Sequence, residues 1–405
     1  MEEWIIIAGK KYDVSEFKKK HPGGEPLLSC CIGIDATDIF TEFHTNPAKA
    51  QGILSTLPVI ETVSQSPPFS QQSSFCEDIR LLRNKLKQEG KFCANPYFYL
   101  RKYIELCLLF GFASQLLYNG WWYTSSMVMG LFFQQCGWLS HDIEHNQVTS
   151  SNKTLRTYLL RIFGNICQGF SGKWWVQKHM THHAMPNALH EQTKTAIDED
   201  FDTVPLLYWT SRLFPDNHTQ PPWHIRWQGY YLWLLLPWSK FLWDYQSLRT
   251  AIVYKDWTEM SFIFLHYVVF GLHAWILQPS SLVSALAYMM VSRIWGGFFI
   301  SWVFIQSHNG MEYYTRDTVS FYEAQTISTR NISLDTWTTW FTGGLNYQIE
   351  HHLFPTMPRH YLPSISKQIQ TLFRLHNMSY VTMGLFECSR FLTRYLNRLG
   401  RKKEN

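Results

Sequence analysis

Two of the longest apolar stretches in this 405-residue chain each end three residues before a histidine. Residues 121–138 lead into His141, and residues 282–305 lead into His308. No other feature constrains the fold as much. A centre that needs both histidines must find both ends on one side of whatever the apolar stretches cross. The chain therefore has to cross and return in pairs.

Five stretches are candidates for membrane contact. Residues 103–118 and 121–138 are separated by Asn119-Gly120, which reads as a tight hairpin. Residues 229–243 hold Pro237 and Lys240 near their middle, and 262–277 and 282–305 complete the set. A helical span needs roughly 20 mostly apolar residues. The stretch 229–243 is short and broken, so it is expected at the interface, anchored by its Trp and Tyr side chains. Four spans remain, in two hairpins, and the fold expected is mainly α. A four-span transmembrane helical bundle would carry a cytosolic helical cap. The aromatic share of 17%, with 18 Trp, suits a protein that meets a bilayer.

Ten of the 17 histidines fall into five compact settings. These are His21 with His44, His141 with His145, His179 with His182 and His183, His308 alone, and Gln348 with His351 and His352. On a helix, residues at i, i+3 and i+4 share a face. Each multi-histidine cluster after residue 140 has that spacing. His141-Asp-Ile-Glu144-His145 alone fits H-x-x-E-H, an inverted zinc-protease motif. A catalytic zinc needs three protein ligands and a water. Eight imidazoles, with Gln348 as a ninth donor, are too many for one ion and about right for two. The protease reading leaves most of them unexplained. Neutral imidazole ligands fit iron, copper or zinc. Asp142, Glu144, Glu350 and the acidic run 198–202 are candidates to fix the rings from behind; a solvated loop is the plain alternative for that run.

Residues 1–60 read as a small separate α+β domain, with strands around Ile5–Ile7 and Lys11–Val14 and a turn at Gly9-Lys10. Residues 61–75 are rich in Ser, Gln and Pro and are expected to be a linker. Residues 76–405 then form the membrane domain, entered by an amphipathic surface helix over 77–91. The charge of +5 is mild and gives no reason to expect nucleic acid. Eight scattered cysteines without a C-x-x-C suggest reduced thiols facing the cytosol. The opening MEEWIIIAGK is no signal peptide, so a cytosolic N-terminus is expected. The ending Lys402-Lys403-Glu404-Asn405 is like an endoplasmic-reticulum retrieval signal, which would be read from the cytosol.

His21-Pro22-Gly23-Gly24, with His44 downstream, resembles cytochrome b5. HDIEH, HMTHH and QIEHHLFP resemble the three histidine boxes of membrane fatty-acid desaturases. The Gln at the head of the third box, with the N-terminal cytochrome, resembles the front-end desaturases. That likeness covers nearly the whole chain. It implies haem b between His21 and His44. It also implies two iron ions held by His141, His145, His179, His182, His183, His308, Gln348, His351 and His352. The implied reaction inserts a cis double bond between an existing one and the carboxyl end, at Δ5, Δ6 or Δ8. The implied partners are a fatty acyl substrate (acyl-CoA or acyl-phospholipid), O2, membrane lipids and an NADH-cytochrome b5 reductase. The implied location is the endoplasmic reticulum membrane, multi-pass, with both termini cytosolic.

Other readings compete. A sphingolipid long-chain-base Δ8 desaturase shares the cytochrome fusion and the Gln-headed box, and a hydroxylase uses similar boxes. A non-enzymatic haem electron carrier is the alternative of another class; eight imidazoles in place argue against it. His266 and His273, seven apart in one span, share a face and are candidates to line a substrate path. His190, His218, His224, His360 and His376 are expected at the surface or in caps. The sequons at Asn152, Asn217, Asn331 and Asn377 would face the cytosol and carry no glycan.

Overall fold

The computed structural model describes residues 3–63, 73–149, 152–190, 192–214, 223–277 and 281–401. Most of the expected linker, Asn217, His218 and the basic tail lie outside them.

The N-terminal unit is a small sheet with helices. Strands β1 (Trp4–Ile7) and β2 (Lys10–Asp13) pair antiparallel, Trp4 opposite Asp13. Ala8 and Gly9 both take positive φ between them, the geometry a two-residue hairpin demands. Helices α1 (Glu25–Cys30), α2 (Thr37–Phe43) and α3 (Pro47–Leu54) follow. Strand β3 (Val59–Thr62) then returns to pair with β2 and carries the sheet past residue 60. Ile5, Ile7, Val14, Leu27, Leu28, Ile39 and Leu54 fill the core between sheet and helices.

Helix α4 (Ser74–Gln88) starts where the Ser73 hydroxyl accepts a hydrogen bond from the Cys76 N–H. Phe75, Ile79, Leu82 and Leu86 recur at helical spacing and are buried, while Leu81 is two-thirds exposed at 66%. The helix thus has the expected surface face, but its other face is a wall. Arg80 donates to both Asp38 carboxylate oxygens, at 2.8 and 2.9 Å. Arg83 pairs with Glu42 at 2.8 Å. The Tyr322 hydroxyl, from the far end of the chain, donates to the same Glu42 oxygen at 2.6 Å. Glu42 is fully buried; burial pushes its carboxyl up to about 7, against the pull of Arg83. One continuous apolar cluster runs from the N-terminal core through α4 to Phe373. The N-terminal unit is packed onto the rest, not merely tethered to it.

Four long helices follow as two hairpins. They are α5 (Pro96–Tyr118) with α6 (Trp122–Glu144) and, later, α11 (Trp257–Leu277) with α12 (Leu282–His308). Each covers one of the expected spans, save that α6 begins one residue later, at Trp122. Of these, α11 and α12 are long and apolar enough to cross a membrane by length and composition. Between the hairpins come α7 (Lys153–Leu160), a π turn over Arg161–Gln168, α8 (Gly172–Ala184) and strand β4 (Ala188–Leu189). The stretch 229–243 is divided as its proline suggests. Helix α9 (Gln228–Leu235) gives way to a tight turn at Leu236–Trp238, and α10 (Ser239–Val253) follows.

Helices α6 and α12 cross closely. A Cβ built on Gly130 would lie 2.5 Å from the Trp295 Cβ and 2.8 Å from the Gly296 nitrogen, so only glycine permits the contact. Leu108 and Phe112 on α5, Phe264 and Ile276 on α11 and Val283 and Leu286 on α12 stand exposed. Such a belt of large apolar side chains is uncommon on a water-facing surface.

The chain after α12 forms the cap. It comprises β5 (Tyr314–Thr315), α13 (Phe321–Ile327), β6 (Asn331–Ile332), α14 (Thr336–Phe341), α15 (Gln348–Leu353), α16 (Leu362–Leu375), β7 (Thr382–Met383) and α17 (Leu385–Leu399). Parallel bridges β4–β5 and β6–β7 tie its loops together.

Candidate metal centre

Helices α6, α8, α12 and α15 end, begin or run at one place, and each brings histidines to it. His141 lies in the last turn of α6, with His145 one step past its end. His179, His182 and His183 lie along one face of α8, and His308 is the last residue of α12. Gln348, His351 and His352 share a face of the short α15. Two glycines aim α15. Gly343 and Gly344 have φ of 64° and 86°, and a Cβ on Gly343 would lie 2.3 Å from Trp138 Cγ. The Trp138 indole N–H, donated to the Phe341 carbonyl at 2.9 Å, holds that wall.

The eight rings form two adjoining groups. His141, His145, His179, His183 and His351 offer nitrogens all within 4.8 Å of one another, and so do His182, His308 and His352. His183 and His352, one from each group, stack with ring centroids 4.2 Å apart. All eight are at most 5% exposed, so water does not satisfy their ring nitrogens. Gln348 is buried beside His308, their Nε2 atoms 2.9 Å apart.

Several rings are held from behind. His182 Nδ1 faces an Asp198 carboxylate oxygen at 2.8 Å, and His352 Nδ1 faces the Gln325 Oε1 at 2.8 Å. His308 Nδ1 faces the Ser328 carbonyl at 3.1 Å. In each case Nδ1–H donates outward and Nε2 is left inward. The acidic run at 198–202 is therefore partly a support, through Asp198. Gln325 and Ser328 lie in a segment without motif or periodicity, and nothing in the sequence singles them out.

The inward nitrogens are what a metal site leaves behind. His141 Nε2, His145 Nε2, His351 Nε2 and His352 Nε2 are buried without a hydrogen-bond partner among the described residues, as is Gln348 Oε1. Unpartnered buried polar atoms are costly and uncommon. His179 Nε2 and His183 Nε2 face each other at 3.1 Å, and two imidazole nitrogens can share that separation only through a proton or an ion. The donor set therefore fits metal ions. The net shift is downward, led by burial, for seven of the eight rings, taking His351 down to about 3. For His182 burial also pulls down, but Asp198 and Asp200 outweigh it and the net shift is upward. Neutral imidazole is the form that binds metal.

The carboxylates around the site divide. Asp142 pairs with Arg359 at 2.8 Å, and Arg359 also donates to the Gly343 carbonyl at 2.6 Å. Glu350 accepts from Asn331 at 2.8 Å and from the Tyr380 hydroxyl at 2.5 Å. Both brace the backbone around the site. Glu144, expected behind a ring, has no hydrogen-bond partner at either oxygen among the described residues and lines a different cavity.

That cavity, about 340 Å³, contains His21 and His44 and is lined by the N-terminal unit together with residues from the end of α6, α7 and α8. Their ring centroids are 6.3 Å apart. Two metal–nitrogen bonds of roughly 2 Å each, plus the half-widths of the rings, account for that gap. His44 Nδ1 faces the Phe40 carbonyl at 2.8 Å, which leaves its Nε2 inward. A Cβ on Gly23 would lie 2.9 Å from the His21 ring. The apolar walls and facing imidazoles fit a haem. Burial, then His44, takes His21 down to about 4.

Other histidines lie outside the two groups. His266 Nδ1 faces the Ile166 carbonyl at 2.7 Å, and its Nε2 accepts from Arg293 at 2.6 Å. His273 meets the Ser114 hydroxyl at 2.9 Å, and His376 pairs with Asp78 at 2.8 Å. Asn331 is fully buried and cannot carry a glycan.

Comparison with known proteins bears on all of this. A model of the fatty acid desaturase family matches residues 119–384. A model of the cytochrome b5-like heme/steroid binding domain matches residues 2–89. The chain is 36% identical over 396 residues to an acyl-lipid (9-3)-desaturase of Physcomitrium patens, covering 94% of this chain and 72% of that protein. It is 33% identical over 419 residues to a Delta(8)-fatty-acid desaturase of Euglena gracilis, covering 99% and 96%. A Delta(6)-fatty-acid desaturase of Caenorhabditis elegans is 31% identical over 421 residues, covering 95% and 92%.

Proposed function

The chain belongs to the fatty acid desaturase family and carries an N-terminal cytochrome b5-like domain, and from that premise we propose a front-end desaturase of polyunsaturated acyl chains. It would place a cis double bond between an existing one and the carboxyl end, at Δ5, Δ6 or Δ8. The observation that carries this reading is the pair of adjoining imidazole groups with their inward, unpartnered nitrogens. Five and three rings, with Gln348, suit two irons. The proposed ligands are His141, His145, His179, His182, His183, His308, Gln348, His351 and His352, and His21 with His44 would hold haem b.

When bound, the irons supply the oxidising power that an unactivated methylene pair requires, with O2 as oxidant and haem as electron relay. The balance is one CH2–CH2 unit, one O2, two electrons and two protons giving CH=CH and two waters. The protein's part is placement. A small cavity of about 20 Å³, room for about one water, touches His179, His182, His308 and Gln348 together with Val303, Phe304 and Leu345, so the ligand faces meet apolar side chains there. Trp175 stacks on His179 at 4.8 Å and on Phe304 at 5.5 Å, a wall that keeps water from the reacting carbons.

The two hairpins would make four spans, with both termini and both histidine groups on the cytosolic side of the endoplasmic reticulum. Both α6 and α12 deliver histidines at their same-side ends, which supports an even number of crossings. A separate NADH-dependent reductase would charge the haem. The deciding test is product analysis in a host without polyunsaturated fatty acids, fed 18- and 20-carbon precursors. The expected products carry one new double bond on the carboxyl side, absent with His182→Ala. A changed sphingoid base with unchanged fatty acids would sink the acyl reading.

A further inference from the structure

The cavity around His21 and His44 is not completed by the N-terminal unit. Glu144, Asn146, Lys153, Arg156, Val176 and Met180 line it from the desaturase domain. Its inner part is apolar, formed by residues such as Ile5, Val14, Leu28 and Phe43. The charged residues lining it are Lys49, Lys153, Arg156 and Glu144. Three cations against one carboxylate leave two positive charges in excess. Haem is an apolar plate with two carboxylates on one edge. Arg156 Nε is buried without a hydrogen-bond partner among the described residues, and the carboxylate acting on its charge is Glu144. Its NH1 is committed to Asn146 at 2.8 Å, which orients the guanidinium. Lys49 and Lys153 are exposed at the mouth.

We propose that Lys153 and Arg156, on α7 of the desaturase domain, bind the haem carboxylates, so that the cofactor is held jointly by both domains. The proposal rests on the haem reading above. Its functional meaning lies in α8: Met180 lines the same cavity, and its chain neighbour His179 belongs to the five-ring group. A haem held at α7 is held beside α8 as well. Lys153 and Arg156 are positioning residues for electron delivery.

The experiment uses the full chain in detergent and follows haem transfer to a globin scavenger by absorbance. Lys153→Gln with Arg156→Gln should release haem on the order of tenfold faster and lower the haem reduction potential, since positive charge favours the reduced form. Lys153→Arg with Arg156→Lys should restore retention. Should the Gln variants fail to fold, the unaltered protein loaded with haem dimethyl ester, which has no carboxylates, should show the same faster release. Haem and its ester leaving the unaltered protein at equal rates would overturn the proposal while leaving the haem reading intact. Purified protein that takes up no haem at all would overturn both.

Discussion

Asp198 carries no metal contact in the proposed site, yet it fixes the ring of His182. Losing such a support typically costs 10–100-fold in metal affinity. Asp198→Asn is therefore expected to lower iron affinity by roughly that factor, read as iron per chain after dialysis against a graded chelator. Glu42 makes the opposite kind of test, through the contact between the N-terminal unit and the rest. It is buried, paired with Arg83 and bonded to Tyr322. Removing one partner of a buried pair strands the other, at about 3–5 kcal/mol. Glu42→Ala is expected to destabilise by about 3 kcal/mol, seen as a lower thermal midpoint of the haem band; an unchanged midpoint would rule out the buried pair. At this scale the sequence was informative in one direction only. Ligand candidates announce themselves because helical spacing repeats three times. Their supports do so only in part: Asp198 stands in an acidic run that the sequence offers, whereas Gln325, the Ser328 carbonyl and Arg359 reach the centre through tertiary packing alone.

The helices were legible where apolar length and turn chemistry agreed. Asn119-Gly120 marks the turn between α5 and α6, and Pro237 marks the break between α9 and α10. The closeness of α6 to α12 was not legible, since a glycine in a helix says only that something is near or nothing is. Gly130 and Gly111 separate the two cases. Gly130→Ala forces the helices apart and is expected to cost about 1–3 kcal/mol. Gly111 on α5 has nothing within 4 Å of a built Cβ, so Gly111→Ala should be neutral or gain up to about 1 kcal/mol. Thermal unfolding in detergent compares them, and equal effects would contradict the tight crossing.

The whole molecule joins a haem-binding unit to a helical body, and its membrane topology is open to a direct check. With Cys93→Ser, a cysteine placed at Asn119 should resist a membrane-impermeant maleimide in sealed microsomes and react once they are opened. The native Cys93, which is exposed, should react in the sealed state. Reaction of both in sealed vesicles would exclude the two-hairpin arrangement. The order of the two units could be read from motifs, but their docking could not. Asp38 and Glu42 look like ordinary acidic residues of a surface helix until Arg80, Arg83 and Tyr322 arrive from α4 and α13.

That docking has a bearing on supply. If the haem of the docked N-terminal unit is the electron relay, the place a freely diffusing carrier would need is already occupied by an attached one. The flow of reducing power into each copy then follows the number of copies and the traffic to their own haems. On the proposed reading, moving the gene to a new host moves the last carrier with it, while the reductase that charges the haem must come from the host.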